Sequence, residues 1–181
     1  MNAERRAAIV RILEESSEAF HAAVGAVPED RVRFTPGPDR WCVLEIVEHV
    51  ALAERGMFQL LKTAAADPAN EGLERPEREA FISSVVANRE KRGQAPERAR
   101  PLGRFTTVPE GLRQFAAARQ ATILFARETP VDLFRVTATH PLFGPVNGYE
   151  MLLIMAGHPR RHGSQIEELM QHSKPDTAPR E

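Results

Sequence analysis

The stretch GHPRRHGSQI, residues 157–166, is the most informative part of this 181-residue chain. It places His158 and His162 four positions apart. Side chains at that spacing project from one face of an α-helix about one turn from each other, so both imidazoles can reach one ion. Apolar residues recur at helical spacing on the same face from about Asn147 to about His172. The pattern predicts a long helix that carries two candidate metal ligands.

Three further segments show the same periodicity. Apolar residues at helical spacing predict helices over about residues 2–24, 41–66 and 109–127. In the second segment, His49 falls on the same side as Ile46 and Met57, which places it on the buried face. A third histidine from a facing helix would complete a three-histidine site.

The connections between these segments define the expected fold. Residues 67–108 form a long crossover with a short helix predicted over about 76–88, and the rest of this crossover is an exposed loop. Residues 129–146 contain several prolines and predict a loop, with a short extended piece around 134–139. Four long helices with one long crossover predict an all-α four-helix bundle. The crossover permits the second and third long helices to run parallel, with the fourth antiparallel to both.

Composition limits the function classes. The chain is 42% hydrophobic and 27% charged, as expected of a globular protein, and its 24 basic and 25 acidic residues give a net charge of -1. This balance provides no field that would attract nucleic acid or an anionic membrane. We expect one domain over 1–172 and a flexible tail over 173–181. The lone Cys42 and the absence of an export-like N-terminus indicate a cytoplasmic protein.

Helix lengths predict that the candidate ligands meet. At 1.5 Å per residue, His49 lies roughly 12 Å from the start of its helix and His162 a comparable distance from the end of its own. Antiparallel packing brings these two residues level. Arg119, in the middle of the inner stripe of the third long helix, reaches nearly the same height. The pair at 158 and 162 lacks the glutamate of the HExxH zinc-peptidase motif, because Pro159 stands in its place.

Several polar residues near this point have two interpretations each. Glu45, one turn before His49, could orient that histidine or act as a base, or it could be a carboxylate at the surface edge. Arg119 could bind a substrate carboxylate or phosphate, or form a buried pair with Glu45 or another acid. His140 could close over the site or hydrogen-bond its loop to a helix end, and packing is the favoured interpretation. Pro159 predicts a kink or an irregular turn, because it removes the hydrogen bond to the carbonyl four residues earlier.

Three stretches together resemble one known family. They are WCVLEIVEHV (41–50), THPLFG (139–144) and HPRRHGSQI (158–166). The DinB-like superfamily usually has a tryptophan before a helix bearing a histidine, a His-Pro-x-x-Gly loop, and a final His-x-x-x-His helix ending in Gln-Ile. The resemblance covers nearly the whole chain. It implies a bundle of up-down-down-up topology, a homodimer, and a divalent ion (nickel, zinc or iron) held by His49, His158 and His162.

The resemblance also implies a range of activities. Characterised relatives include thiol transferases that use bacillithiol, mycothiol or glutathione, a mycothiol-dependent isomerase, and proteins described as metal-dependent hydrolases. Three neutral imidazoles leave a position on the ion open for a water or a thiol. We therefore expect a metal-dependent thiol transferase or hydrolase acting on a small-molecule substrate, with a low-molecular-weight thiol as a possible second cofactor. The alternative is a non-catalytic dimeric bundle, a stress-related or ligand-binding module, which the helix-breaking Pro159 favours.

Overall fold

The computed structural model describes residues 1–38, 40–69, 72–89 and 95–172. Its helices are α1 (Ala3–Gly25), α2 (Val43–Ala65), α3 (Pro76–Ala87), α4 (Val108–Glu128) and α5 (Gly148–His172). A hairpin of β1 (Thr137–His140) and β2 (Gly144–Asn147) lies between α4 and α5, and short 3₁₀ turns lie at Glu29–Arg31, Glu97–Ala99 and Leu133–Arg135. The predicted long helices correspond to α1, α2, α4 and α5, and the predicted crossover helix to α3.

Local capping fixes where the helices begin. The side chain of Asn2 accepts a hydrogen bond from the Arg5 N–H at the start of α1. At the start of α5, Asn147 Oδ1 accepts from the Glu150 N–H at 2.8 Å, and Glu150 Oε2 accepts from the Asn147 N–H at 2.9 Å. These reciprocal bonds satisfy donors that the first helical turn leaves unpaired. They explain why the predicted start of this helix, near Asn147, agrees with the structure.

Contacts between pairs of helices give the chain directions. The Arg6 guanidinium at the start of α1 donates to the Ala126 carbonyl at the end of α4, so these helices are antiparallel. Helix α2 runs parallel to α4, since Glu54 contacts Arg119 and, further along both helices, Phe58 contacts Phe125. Helices α1 and α5 are parallel, because Arg5 contacts Tyr149 near the start of both helices and Glu15 contacts Arg160 further along both. The bundle therefore has the predicted up-down-down-up topology.

The hairpin differs from the sequence prediction. The extended piece expected around 134–139 begins at Thr137, because residues 133–135 form a 3₁₀ turn. The chain then returns as a second, unpredicted strand, in which Gly144 pairs with His140 and Asn147 pairs with Thr137. Gly144 has a φ of 67°, which a side chain disfavours, and this allows the tight return. A strand that begins Gly-Pro carries little sequence signal, since both residues are depleted in strands.

The core consists of two apolar clusters with a polar layer between them. One cluster surrounds the N-terminal half of α1 and the other surrounds Phe20, Ile46 and Phe115. Between them lie buried Ser16 and Glu54, together with Arg119 and Thr122 on α4. Within the described residues, no helix is both long enough and apolar enough to cross a membrane. The predicted tail at 173–181 lies outside the described residues, and the domain limit at 172 stays a prediction.

Candidate metal centre

The structure brings the three predicted histidines together between α2 and α5. One ring nitrogen from each of His49, His158 and His162 lies within 4.8 Å of those of the other two. The Nε2 atoms of His49 and His158 are 3.1 Å apart. The ring centroids are separated by 4.5 to 5.0 Å. The parallel and antiparallel packing inferred from helix lengths therefore produces one cluster in the bundle interior.

The backbone of the crossover orients His49. Its Nδ1 lies 2.7 Å from the carbonyl oxygen of Ala99. A carbonyl oxygen only accepts hydrogen bonds, so Nδ1 carries the proton and Nε2 presents a lone pair to the other histidines. The Trp41 ring packs against the imidazole, with centroids 4.9 Å apart. His49 is 5% exposed, and its ring is thus held from both sides.

His162 has a comparable support on its own helix. Its Nδ1 lies 2.8 Å from Oε1 of Gln165, an amide oxygen that accepts the Nδ1 proton. Nε2 of His162 is consequently free to bind an ion. Gln165 was not among the site residues predicted from the sequence. Its position three residues after His162 places it on the same face of α5, and that spacing was the available signal.

The donor set fits a divalent ion. Zinc-to-imidazole bonds of 2.0 to 2.1 Å with angles from 90° to 109° separate the nitrogens by about 2.9 to 3.4 Å, and the observed 3.1 Å falls inside this range. Burial lowers the pKa of His49 and, together with the neighbouring imidazoles, holds the pKa values of His158 and His162 well below the ordinary value. Neutral imidazole is the form that binds metal.

A buried carboxylate on α2 fixes the segment that supplies the Ala99 carbonyl. Glu48 accepts hydrogen bonds from the backbone N–H groups of Leu102, Gly103 and Arg104 and from the Arg104 side chain. Burial acts to raise the pKa of Glu48, but these hydrogen bonds outweigh it and hold that pKa below its ordinary value. Glu48 therefore faces away from the histidines and anchors the loop that orients one of them.

Arg119 forms a buried ion pair beside the histidines. It is 1% exposed, and its Nε and Nη2 atoms donate to the two carboxylate oxygens of Glu54 at 2.9 and 2.8 Å. The remaining N–H groups donate to the Leu13 carbonyl, the Ser16 hydroxyl and the Met155 carbonyl. These five hydrogen bonds use every N–H of the guanidinium. The alternative interpretation of a buried pair thus describes its position, with Glu54 as the acid in place of Glu45, and no N–H is left for a substrate.

The same arginine supplies a hydrogen-bond donor that Pro159 cannot supply inside α5. Pro159 has no N–H, so the carbonyl of Met155, four residues earlier, loses its helical partner. Nη2 of Arg119 donates to that carbonyl at 2.7 Å. Helix α5 is continuous from Gly148 to His172, so of the two expected outcomes the irregular turn does not occur, and the kink at Pro159 stays a prediction. His158 consequently keeps a regular helical position, one turn before His162.

Glu45 lies half-buried at the N-terminus of α2, as the interpretation of a carboxylate at the surface edge describes. Its Oε2 accepts a hydrogen bond from the Cys42 N–H at 2.8 Å and so caps the helix. It lines a surface cavity of about 450 Å³ whose walls also include Arg33 and Phe105, and to which the three histidines do not contribute. His49 takes its orientation from Ala99 and not from Glu45.

His140 ends β1 and is buried. Its Nδ1 accepts hydrogen bonds from the N–H groups of Leu142 and Phe143 at 3.2 and 3.3 Å. The imidazole therefore hydrogen-bonds its own turn, whereas the sequence had favoured a bond to a helix end. Burial lowers the pKa of His140 to about 4.

Comparisons with known proteins agree with this architecture. The solved structure of YfiT from Bacillus subtilis, described as a probable metal-dependent hydrolase with an unusual four-helix bundle topology, superposes with a TM-score of 0.64 at 15% identity, covering 94% of this chain and 89% of that chain. At this identity the likeness shows the fold alone. No curated protein matches the chain. The model of the DinB superfamily matches residues 12–166, and the chain belongs to that superfamily.

Proposed function

We propose that this protein is a metal-dependent enzyme whose divalent ion is bound by the Nε2 atoms of His49, His158 and His162. The observation that carries the proposal is the arrangement of protons in the cluster. Hydrogen bonds to Ala99 and Gln165 place the protons of His49 and His162 on Nδ1, so their Nε2 lone pairs face a shared point. His158 presents its own Nε2 at the same point, 3.1 Å from Nε2 of His49, and an ion bound there would replace the contact between these two nitrogens.

The reaction class follows from the ligand set. Three neutral imidazoles suit zinc, nickel or iron and leave at least one coordination position open. When bound, such an ion acidifies a water or a thiol and so supplies a nucleophile near neutral pH. We therefore propose hydrolysis of a small molecule, or transfer of a low-molecular-weight thiol to a small electrophile. The histidines serve both reactions equally, so the substrate pocket must decide between them.

The position of His158 supports the enzyme over the alternative of a non-catalytic bundle. Pro159 was the reason for that alternative, and Arg119 donates to the Met155 carbonyl that the proline leaves without a helical partner, while His158 lies in the cluster. The homodimer, the cytoplasmic location and the lack of nucleic-acid or membrane partners stay predictions. Sedimentation analysis of the purified chain tests the homodimer directly.

Metal content tests the proposal. The chain is purified without a histidine tag, and the bound elements are measured by mass spectrometry in the wild type, His49→Ala and His162→Ala. His21→Ala is the matched control, because His21 lies on α1 with its Nδ1 at 2.8 Å from the Ser17 carbonyl, outside the cluster. We expect about one ion per chain in the wild type and the control, and little in the other two variants. Undiminished metal in both cluster variants would rule the proposal out.

Turnover assays then separate the two reaction classes. The loaded protein is offered activated esters and amides in one series, and bacillithiol, mycothiol or glutathione with an electrophile in the other. A thiol transferase consumes the thiol and the electrophile together and loses activity on chelation, whereas a hydrolase acts without a thiol. If neither series shows chelator-sensitive turnover while the ion is bound, the non-catalytic alternative gains support.

A further inference from the structure

His140 is a buried imidazole that the proposed metal centre does not use. It occupies the last position of β1, on the inward face of the hairpin together with Ala138. Strand β1 packs against α2 and α5, the two helices that carry the histidine cluster. The positive charge that His140 would carry if protonated lowers the pKa of His158, after the effects of burial and of the other two imidazoles. The ring therefore lies within electrostatic reach of the cluster.

Hydrogen bonds fix the tautomer of His140. Two backbone N–H groups, from Leu142 and Phe143, donate to its Nδ1. Nδ1 must offer a lone pair to accept them, so the single proton of the neutral ring is on Nε2. Burial keeps the ring neutral, and a second proton on Nδ1 would also face two N–H groups of the same polarity.

The turn that holds Nδ1 is itself held in place. The Arg78 guanidinium on α3 donates to the carbonyls of Phe143 and Pro145, each at 2.9 Å. The Phe143 ring packs against the imidazole with centroids 5.3 Å apart. His140 is thus anchored through its Nδ1 edge, and its Nε2 edge hydrogen-bonds to no residue that the structure describes. A fixed, unpaired donor on the inward face of the hairpin is available to a ligand.

We propose that His140 is a neutral hydrogen-bond donor whose Nε2–H binds a carbonyl or carboxylate oxygen of the small-molecule substrate beside the three-histidine centre. This inference rests on the proposed function. A preorganised neutral N–H stabilises negative charge that develops on an oxygen without transferring a proton to it. The two backbone N–H groups at Nδ1 keep the proton of the neutral imidazole on Nε2, where it faces the substrate.

Two substitutions of His140 distinguish the role of the acceptor at Nδ1 from the role of the donor at Nε2. In His140→Asn, the side-chain oxygen replaces Nδ1 as the acceptor for the turn, but the Nε2–H is lost. In His140→Gln, the amide N–H reaches towards the position of Nε2, but the acceptor for the turn is displaced. The pair therefore distinguishes loss of the donor from loss of the turn.

Ligand binding to the cobalt-loaded protein is the test, followed through the visible absorption of the ion. Acetate keeps one oxygen free to accept a hydrogen bond after it binds, whereas imidazole as an added ligand does not. We expect His140→Asn to weaken acetate binding about tenfold or more, with imidazole binding and cobalt content unchanged, and His140→Gln to retain most of the acetate affinity. Unchanged acetate affinity in His140→Asn, or an equal loss for acetate and imidazole, would overturn the proposal.

The tautomer is measured independently in the metal-free protein. Long-range ¹H–¹⁵N correlation spectra of histidine-labelled protein report which nitrogen of His140 carries the proton, and we expect Nε2. A proton on Nδ1 overturns the inference even if the variants fail to fold. Failure of the wild type to take up cobalt would instead refute the metal centre, so the two failures are distinguishable.

Discussion

Two buried polar clusters lie in the middle of this bundle, and they differ in how completely their polar groups are hydrogen-bonded. In the cluster of Arg119 and Glu54, each N–H of the guanidinium meets an acceptor, and the carboxylate also accepts from the Thr122 hydroxyl at 2.9 Å. In the histidine cluster, the outer nitrogens of His49 and His162 are paired, whereas the inner ones face each other. A buried cluster whose hydrogen bonds are complete stabilises the fold, whereas imidazole nitrogens that converge on one point have the arrangement that the proposed ion requires.

The two clusters are also connected. The Met155 carbonyl that Arg119 binds lies one turn before His158 on α5, and Pro159 is the reason that this carbonyl is available. The ion pair thus holds the turn of α5 from which the histidines project. If the comparison is correct, damage to the first cluster should affect stability, and damage to the second should affect ligand binding.

The largest expected effect is on the ion pair. Glu54→Leu leaves the buried Arg119 charge without a counter-ion, which should lower the free energy of unfolding by about 3 to 5 kcal/mol. Urea unfolding of the metal-free protein, followed by circular dichroism, measures this loss. The double variant Glu54→Leu with Arg119→Met removes both charges and should lose less than Glu54→Leu alone. A loss below about 1 kcal/mol for Glu54→Leu, the range of exposed ion pairs, would contradict the structural role.

Metal-linked stability probes the second cluster. An ion present at 100 times its dissociation constant should raise the free energy of unfolding of the wild type by about 2.7 kcal/mol. His49→Ala should lose this gain, and the His21→Ala control should keep it. Paired urea titrations with and without zinc give the difference. A full gain in His49→Ala would show that the ion stabilises the protein from another place.

Gln165 tests how far hydrogen bonds at the outer nitrogens orient the histidines, since its side-chain oxygen accepts the Nδ1 proton of His162. Gln165→Ala removes the acceptor from Nδ1 of His162 and should weaken metal binding by about 10 to 100-fold. Gln165→Glu keeps an oxygen at that position and should retain the affinity. Competition with a chromophoric chelator measures both. Equal affinities for the alanine variant and the wild type would mean that packing alone orients His162.

Residue type and spacing explain which parts could be predicted from sequence. The three histidines and the bundle were predictable, because the apolar stripe and the four-residue spacing both follow from the helical period. Arg119 stood out as a charge on an apolar stripe, but its partner did not, since an acid such as Glu54 on a helix usually lies in solvent. Pro159 marked the Met155 carbonyl as one without a helical partner but did not reveal which donor it meets, and the Ala99 carbonyl was not predictable, because every residue carries a carbonyl and only the fold selects one.

Acid sensitivity gives the smallest effect per pH unit, and it is specific to a single group. The pKa of His140 is about 4 in the folded protein and about 6.5 in an unfolded chain, so between these values the unfolded state binds a proton that the folded state does not. Stability should therefore fall as the pH falls from about 6.5 to about 4, by about 1.4 kcal/mol per pH unit for this one group. His49, His158 and His162 have lowered pKa values and act in the same direction.

Urea unfolding of the metal-free protein across this pH range measures the slope, and His140→Asn isolates one group. The variant should show a slope smaller by up to about 1.4 kcal/mol per pH unit, because asparagine does not titrate. An unchanged slope in His140→Asn would mean that the folded protein protonates this ring as readily as the unfolded chain does. The ring would then be exposed to water in the folded protein, and His140 would not share the burial that lowers the pKa values of the three clustered histidines.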